Sequence, residues 1–196
     1  MRAAERNNYK RGRFRRRARR LRQRRFVFVD ETAVNTAMTR RYGRAPRGER
    51  AIDSAPRNYG SHTSVIGAMG LRGLVAALTV EGAVDAEVFN AYAERVLGPR
   101  PRPGDVVMLD NLTAHRASRI EEVAEARGAR ALWLPPYSPD YSPIEQCWSK
   151  IKAYLRGAKA RTREALEEAL TVALGLVTKA DIRGWFKHCG YSLARE

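Results

Sequence analysis

Three acidic residues that lie far apart in the sequence are the candidates for chemistry in this chain of 196 residues. Asp30 follows the apolar run FVFV, Asp110 follows VVML, and Glu145 lies in the segment SPIEQCWSKIK. Both apolar runs are typical of buried β-strands. Because ligands gather at the ends of strands in open α/β sheets, two strands that each end in Asp predict a functional site.

The alternation of side chains along a strand indicates where these aspartates point. Asp30 shares one face of its strand with Phe26 and Phe28, and Asp110 shares one face with Met108. If the two strands are neighbours, their carboxylates repel each other, and such a pair persists cheaply only when it is protonated or bridged by a cation. Oxygen ligands without cysteine favour a hard ion, Mg²⁺ or Mn²⁺.

Each acid also has an ordinary structural interpretation. An Asp that leaves a strand commonly forms a turn by bonding the backbone ahead of it, which would account for Asp30 or Asp110 taken alone. We also interpret Asp53 and Asp140 as turn acids. Ser142, Pro143 and Glu145 have the form of a helix capping box. The box accounts for Glu145 without chemistry but leaves the proline-rich approach LPPYSPDYSP unexplained, because a metal ligand needs rigid support and a cap does not.

Together, Asp30, Asp110 and Glu145 form a candidate site for two Mg²⁺ or Mn²⁺ ions. One ion would activate a water molecule or a 3′-hydroxyl, and the other would stabilise the leaving oxygen during in-line attack on a phosphodiester. Carboxylates suit this role because Mg²⁺ prefers hard oxygen ligands and keeps several of its waters.

Basic residues dominate the charge of the chain and concentrate at its start. The sequence holds 37 Lys or Arg residues and 21 acidic residues, for a net charge of +16, and 13 of the basic residues lie within residues 1–25. We predict a flexible basic arm over residues 1–25, followed by a catalytic domain over residues 26–196. A solvated linker, a membrane-surface segment or a localisation signal would have a similar composition, but the charge density favours a polyanion-binding arm. The arginines assigned to nucleic-acid contact are Arg11, Arg13, Arg15, Arg16, Arg17, Arg19 and Arg20.

The elements that must position the acids alternate between strands and helices. Hydrophobic patterns predict strands over residues 26–30, 63–69, 74–80, 106–110 and 131–134. They predict helices over 85–97 and 118–127, from 144, after Thr162 and around 182–186. Residues 31–60 are predicted to be largely irregular. This order predicts an α/β fold in which a mixed sheet is flanked by helices.

Several protein classes are disfavoured by the sequence. No apolar run approaches the roughly 20 residues that span a bilayer, and no secretion signal opens the chain. The two cysteines, Cys147 and Cys189, lack the spacing of metal ligands. We therefore expect a cytoplasmic protein that does not bind membranes.

Three segments that contain these acids resemble the acidic motifs of a known family. The segments VDET (29–32), LDNLTAH (109–115) and LPPYSPDYSPIEQCWSKIK (134–152) are similar to the motifs of DDE transposases of the mariner superfamily, in its bacterial insertion-sequence group. The 34 residues between Asp110 and Glu145 also match the spacing of that superfamily, and the resemblance extends over about residues 26–191.

The resemblance implies a ribonuclease H-like fold and metal-dependent cleavage and strand transfer of DNA. It implies catalytic and metal-binding roles for Asp30, Asp110 and Glu145, with two Mg²⁺ or Mn²⁺ ions as cofactor. Asn111 and His115 match the second motif, and we interpret them as residues that shape the site.

The resemblance also implies partners. The expected substrates are transposon ends and target DNA, and a homodimer is one candidate for the active form. Transposases of this kind usually carry an N-terminal helix-turn-helix region, whereas 25 residues precede the first predicted strand here. We therefore expect recognition of the DNA ends to come from a separate subunit or a frameshift-joined product.

Three alternative functions remain open at this stage. A DNA-binding remnant of a transposase would keep the fold without the chemistry. Another nuclease on the same fold would share the acids. A structural basic protein, such as a ribosome-associated factor, would account for the arm but not for the three acids.

Overall fold

The computed structural model describes residues 6–111 and 119–193 and contains a mixed five-stranded sheet. The strands are β1 (Phe26–Asn35), β2 (His62–Gly70), β3 (Gly73–Glu81), β4 (Val106–Leu109) and β5 (Arg130–Trp133), in the order β3-β2-β1-β4-β5. Strands β1, β2 and β3 pair antiparallel, whereas β4 is parallel to both β1 and β5. The predicted α/β fold with a mixed sheet is confirmed.

Helices cover both faces of this sheet. They are α1 (Asn8–Arg19), α2 (Ala86–Ala91), α3 (Ile120–Glu125), α4 (Ile144–Ala158), α5 (Arg163–Gly175) and α6 (Lys179–His188). A π-helical segment, Tyr92–Leu97, continues α2, and short 3₁₀ turns occupy Gln23–Arg25 and Pro139–Tyr141. Within the described ranges, no helix has the length and apolar character needed to cross a bilayer.

Two hydrophobic clusters sandwich the sheet. Phe26, Phe28 and Met108 belong to the cluster that contains buried side chains of α1, α4, α5 and α6. Val27 and Val107 belong to the other cluster, with α2 and α3. Strands β1 and β4 are thus buried on both faces, which explains why their sequences are continuously apolar.

Strand β1 is longer than predicted. It continues to Asn35, and its antiparallel pairing with β2 extends from Val27 to Asn35. Asp30 therefore lies in the middle of β1 and not at its end, which corrects the prediction. Pairing with the long β2 keeps β1 extended after the parallel partner β4 has ended at Leu109.

The predicted flexible arm is wrong for residues 8–19, which form α1. The side chain of Asn7 caps this helix by accepting a hydrogen bond from the Lys10 amide. Phe14 and Ala18 are buried in the core together with Arg11. These three residues are spaced so that they share one face of a helix, so that face packs on the domain although most of the segment is arginine.

Candidate active site

Asp30 and Asp110 lie where the parallel strands β1 and β4 separate. The register places Phe26 opposite Val106 and Phe28 opposite Met108, and Asp30 and Asp110 are each the next residue on that same face. The two acid-bearing strands are therefore neighbours, which is the condition under which the sequence placed their carboxylates close together. Both aspartates line a cavity of about 620 Å³.

Glu145 lines the same cavity from the first turn of α4. The predicted capping box does not form, because the N-cap of α4 is Pro143 and no side chain caps the helix. The Ser142 amide, which a box would give to Glu145, donates instead to the Pro139 carbonyl oxygen at 2.9 Å. The interpretation of Glu145 as part of a capping box is therefore wrong, and Glu145 lines the cavity instead.

The three carboxylates interact electrostatically across the cavity. Burial raises the pKa of Asp30 to about 7, and the negative charges of Glu145 and Asp110 add to the effect. Partial burial also raises the pKa of Glu145, where Lys152 opposes the shift and Asp110 adds to it. The ionised form of Asp30 is thus disfavoured, as expected for a buried carboxylate near others of like charge.

Trp148 holds Asp30 in place and was not predicted as a site residue. Its indole N–H donates to Asp30 Oδ2 at 3.0 Å, which partly offsets the rise in the pKa of Asp30. Trp148 lies three residues after Glu145 on α4, so one helix delivers both side chains to the cavity. That spacing was the available signal, but the sequence pattern alone indicated only a core residue.

Gly67 makes this contact sterically feasible. It lies directly opposite Asp30 in the pairing of β1 with β2. A Cβ atom at this position would stand 2.6 Å from the Trp148 ring. The missing side chain on β2 therefore gives the indole the space it needs to reach Asp30.

A proline-rich segment, residues 134–143, forms one wall of the cavity and is called the proline loop below. The Asn111 side chain lines the cavity and donates to the Leu134 carbonyl oxygen at the start of this loop. Tyr137 adopts a left-handed backbone conformation, with φ of 52°. Such a conformation in a bulky residue costs about 1–3 kcal/mol and persists only where the surroundings impose it. His115, the other predicted site-shaping residue, lies outside the described residues.

The predicted nucleic-acid contacts separate into two groups. Six arginines are exposed along α1 and at its C-cap: Arg13, Arg15, Arg16, Arg17, Arg19 and Arg20. Arg11 is only 4% exposed and bonds to Ser138 and Asp140 of the proline loop. Its assignment as a nucleic-acid contact is therefore wrong, because its position on the buried face of α1 places it inside the domain. Asp140 is the partner of this ion pair and not only a turn acid.

The residues of the cavity suit a hard divalent cation. The three acids offer only oxygen ligands, and a cation would favour the ionised form of Asp30, which burial and the two neighbouring carboxylates disfavour. Within residues 6–111 and 119–193, no three His, Cys, Asp or Glu side chains stand close enough together to hold one ion. The donor chemistry therefore fits Mg²⁺ or Mn²⁺, although the described side chains do not form a closed three-ligand cage.

Comparison with known sequences identifies a family. A family model described as DDE superfamily endonuclease matches residues 25–167, which is most of the chain. Asp30, Asp110 and Glu145 all lie within the matched region. No curated protein sequence matches the chain.

Solved structures of the Mos1 transposase share the fold. The Mos1 paired-end complex with left transposon end has a TM-score of 0.73 at 17% identity, covering 96% of this chain and 62% of that one. The Mos1 mariner paired-end complex with Mn gives 0.67 at 19% identity, with the same coverage. The Mos1 catalytic domain with raltegravir and Mg gives 0.60 at 14% identity, covering 92% of this chain and 88% of that one. The chain thus spans less than two thirds of the longer Mos1 chains. The structural similarity establishes that this chain has a ribonuclease H-like fold.

Replacing Asp30 with Asn is expected to stabilise the metal-free protein at high pH. The folded-state pKa of Asp30, about 7, lies above the ordinary value of 3.8, so the unfolded chain releases this proton first. The wild type therefore loses stability as the pH rises from about 4 through 7, and Asp30→Asn does not. We expect the variant to gain on the order of 2–4 kcal/mol over the wild type near pH 8 and little near pH 4.

Urea denaturation at the two pH values measures this difference. Asp181→Asn is the matched control, because the ion pair with Lys150 lowers the pKa of Asp181 to about 2. Asp181→Asn should lower the free energy of unfolding near neutral pH, whereas Asp30→Asn should raise it near pH 8. If Asp30→Asn has the same stability as the wild type at both pH values, ionisation of Asp30 does not destabilise the folded protein.

Replacing Trp148 with Phe is expected to weaken divalent-cation binding. Phe keeps most of the ring volume but removes the N–H that orients Asp30, and loss of such a supporting hydrogen bond typically costs about 10- to 100-fold in metal affinity. Calorimetric titration with Mn²⁺ measures the effect. Trp185→Phe, in α6, is the control and should leave the affinity unchanged. Equal Mn²⁺ affinity in both variants would show that Trp148 does not orient Asp30 for metal binding.

Proposed function

The chain belongs to the DDE superfamily of endonucleases, and from this membership we propose that it acts as the catalytic domain of a transposase. Its proposed reaction is metal-dependent cleavage and strand transfer of DNA phosphodiesters. The observation that carries the proposal is the meeting of Asp30, Asp110 and Glu145 at one cavity, where burial raises the pKa of Asp30 and the charges of the other two acids add to the rise. Three acids that repel one another at a cavity wall are expected where cations and a phosphate are to be bound.

The proposed mechanism assigns roles to the side chains of this chain. Asp30, Asp110 and Glu145 would hold the divalent ions. Two bound Mg²⁺ or Mn²⁺ ions would supply an activated water or 3′-hydroxyl and stabilise the leaving oxygen. Trp148 keeps the Asp30 carboxylate oriented through its indole N–H, and Asn111 fixes the start of the proline loop. The Mos1 complexes with Mn and with Mg support the choice of ion.

DNA is the proposed substrate, and the exposed arginines of α1 are its proposed contacts. Arg13, Arg16, Arg17 and Arg20 follow helical spacing along one exposed face, and this set is called the arginine ridge below. Guanidinium groups donate two parallel hydrogen bonds to phosphate, and a row of them attracts a polyanion towards a cavity whose carboxylates would repel it. The Mos1 structure with left transposon end supports DNA as the partner.

The finer assignments rest on the sequence motifs. We propose that the protein serves a bacterial insertion sequence and acts in the cytoplasm at the nucleoid, which its net charge of +16 supports. A helix-turn-helix region supplied by another chain or a joined product is proposed to recognise the element ends. A homodimer is the proposed active form, because two DNA ends must be processed together for an element to move.

The Asp110→Asn variant tests the proposed chemistry. Purified wild-type protein is expected to nick supercoiled DNA in the presence of Mn²⁺ or Mg²⁺ and to be inactive with chelator. Asp110→Asn should reduce nicking to background while its affinity for DNA stays the same or rises, because a negative charge has been removed. Asp53→Asn, which alters an exposed acid paired with Lys159, is the matched control and should nick normally.

Two outcomes would contradict this function. Equal nicking by the Asp110→Asn variant would show that the activity does not depend on the acid cluster. Salt-sensitive DNA binding with no cleavage under any metal condition would instead favour a non-catalytic DNA-binding remnant.

Neutralising the arginine ridge is expected to weaken DNA binding. Each lost phosphate contact reduces the slope of log K against log salt by about 0.9, so Arg13→Ala, Arg16→Ala and Arg17→Ala together should reduce it by nearly 3. A fluorescence anisotropy titration across salt concentrations measures this slope. The control removes three exposed arginines near α2 and α3, on the other face of the sheet: Arg95, Arg100 and Arg127. Equal losses in both triple variants would mean that charge alone, and not the ridge, binds DNA.

A further inference from the structure

We propose that Arg11 is a positioning residue of the active site, because it joins the basic helix α1 to the proline loop that leads to Glu145. This inference rests on the proposed function and extends it. Helix α1 precedes the region that matches the family model, which begins at residue 25. A helix outside that region thus contributes a buried contact to the wall of the catalytic cavity.

The Arg11 guanidinium fastens two residues of the proline loop at once. Nη1 donates to Ser138 Oγ at 2.6 Å and to Asp140 Oδ1 at 3.0 Å, and Nη2 donates to Asp140 Oδ2 at 2.5 Å. The two parallel bonds to Asp140 form the fork that arginine makes with a carboxylate and lysine cannot. Because Arg11 is almost fully buried, its charge has to be paired there, and the loop is therefore held in a defined position.

Aromatic contacts fix the same turn of the loop. Phe14, one helical turn after Arg11, stacks on Tyr141 with a centroid distance of 5.4 Å and an interplanar angle of 20°. The Arg11 guanidinium lies 4.1 Å from the Tyr141 ring centre. The Tyr191 hydroxyl donates to the Tyr141 carbonyl oxygen at 2.6 Å, from the chain end that follows α6. The turn is therefore held from both sides.

This turn controls the shape of the cavity. Ser138 and Pro139 line the cavity, and α4, with Glu145 in its first turn, begins three residues after Tyr141. Tyr137, in its left-handed conformation, directly precedes Ser138. Arg11 therefore holds the loop immediately after its strained residue and immediately before the helix that carries a catalytic acid. Movement of this turn would displace the cavity wall and Glu145 together.

Helix α1 thus has two functions on two faces. Its buried face contacts the proline loop through Arg11 and Phe14, and its exposed face carries the arginine ridge. A helix is rigid over its 12 residues, so DNA phosphates bound at the ridge have a set position relative to the cavity. We infer that α1 fixes the position of the bound DNA backbone relative to the proline loop.

The experiment compares Arg11→Gln with Lys10→Gln in the full chain. Both variants lose one positive charge from the same helix, but Lys10 is exposed and Arg11 is buried. Arg11→Gln should reduce the nicking rate at saturating DNA and Mn²⁺ by roughly ten- to a hundredfold, with DNA affinity within about twofold of wild type. Lys10→Gln should keep the wild-type rate. A wild-type rate in Arg11→Gln would overturn the proposal.

A second variant covers the case in which Arg11→Gln does not fold. Asp140 is half exposed, and Asp140→Asn keeps an oxygen that can accept from the Arg11 guanidinium while it removes the charge. This variant is therefore expected to fold and to slow nicking in the same direction as Arg11→Gln. If the two residues act as one unit, the double variant is no slower than the slower single variant. Additive losses would mean that Arg11 does not act through Asp140.

Hydrogen exchange separates failure of this proposal from failure of the proposed function. Amides of residues 134–142 should exchange faster in Arg11→Gln than in wild type, and Lys10→Gln should leave them unchanged. This readout does not need nicking activity, so it tests the contact even if the protein cuts no DNA. Unchanged exchange in that segment of Arg11→Gln would overturn the proposed positioning role.

Discussion

Burial of Asp30 beside two other carboxylates is the constraint around which this end of the domain is arranged. Strands β1 and β4 are parallel neighbours buried on both faces, so the residues that follow Phe28 and Met108 on the shared face are brought together by the sheet itself. Those residues are Asp30 and Asp110, and α4 adds Glu145 at the same cavity. Burial raises the pKa of Asp30, and the negative charges of Glu145 and Asp110 add to the effect. The fold therefore disfavours the ionised form of Asp30, and a bound cation would favour it.

Helix α4 is the main support of this cluster. It presents Glu145 to the cavity and, one turn later, Trp148 to Asp30, so that an acid and the residue that orients another acid move as one body. The buried side chains Ile144, Ile151 and Leu155 fix the helix against the sheet. Gly67 on β2 completes the arrangement by leaving room for the indole. The geometry of the site is therefore set by packing within the core and not by the loops alone.

The positive charge of the chain is organised around the same site. Much of it lies on α1, which packs on the domain through Phe14 and Ala18 while its exposed arginines face solvent. A fixed basic surface beside an acidic cavity attracts a polyanion and at the same time constrains where its backbone can lie. A flexible arm of equal charge would supply the attraction without the constraint. The Arg11–Asp140 pair, together with Phe14 and Ala18, fixes α1 on the domain and so supplies this constraint.

The sequence by itself determined the strands, their order and the three acids, because continuous apolar runs, turn residues and motif spacing are local signals. It also indicated that Asp30 and Asp110 lie close together if their strands are neighbours, since side-chain alternation fixes their common face once the strands pair. Only the tertiary structure decided that β1 continues past Asp30, that Ser142 and Glu145 form no capping box, and that Arg11 is buried. Two of these outcomes depend on partners distant in sequence, because β2 extends β1 and Asp140 pairs with Arg11. The third depends on a local turn that the box pattern does not reveal, in which the Pro139 carbonyl accepts from the Ser142 amide. Local composition carries no information about such partners, which is why an arginine-rich segment predicted as a flexible arm became a packed helix.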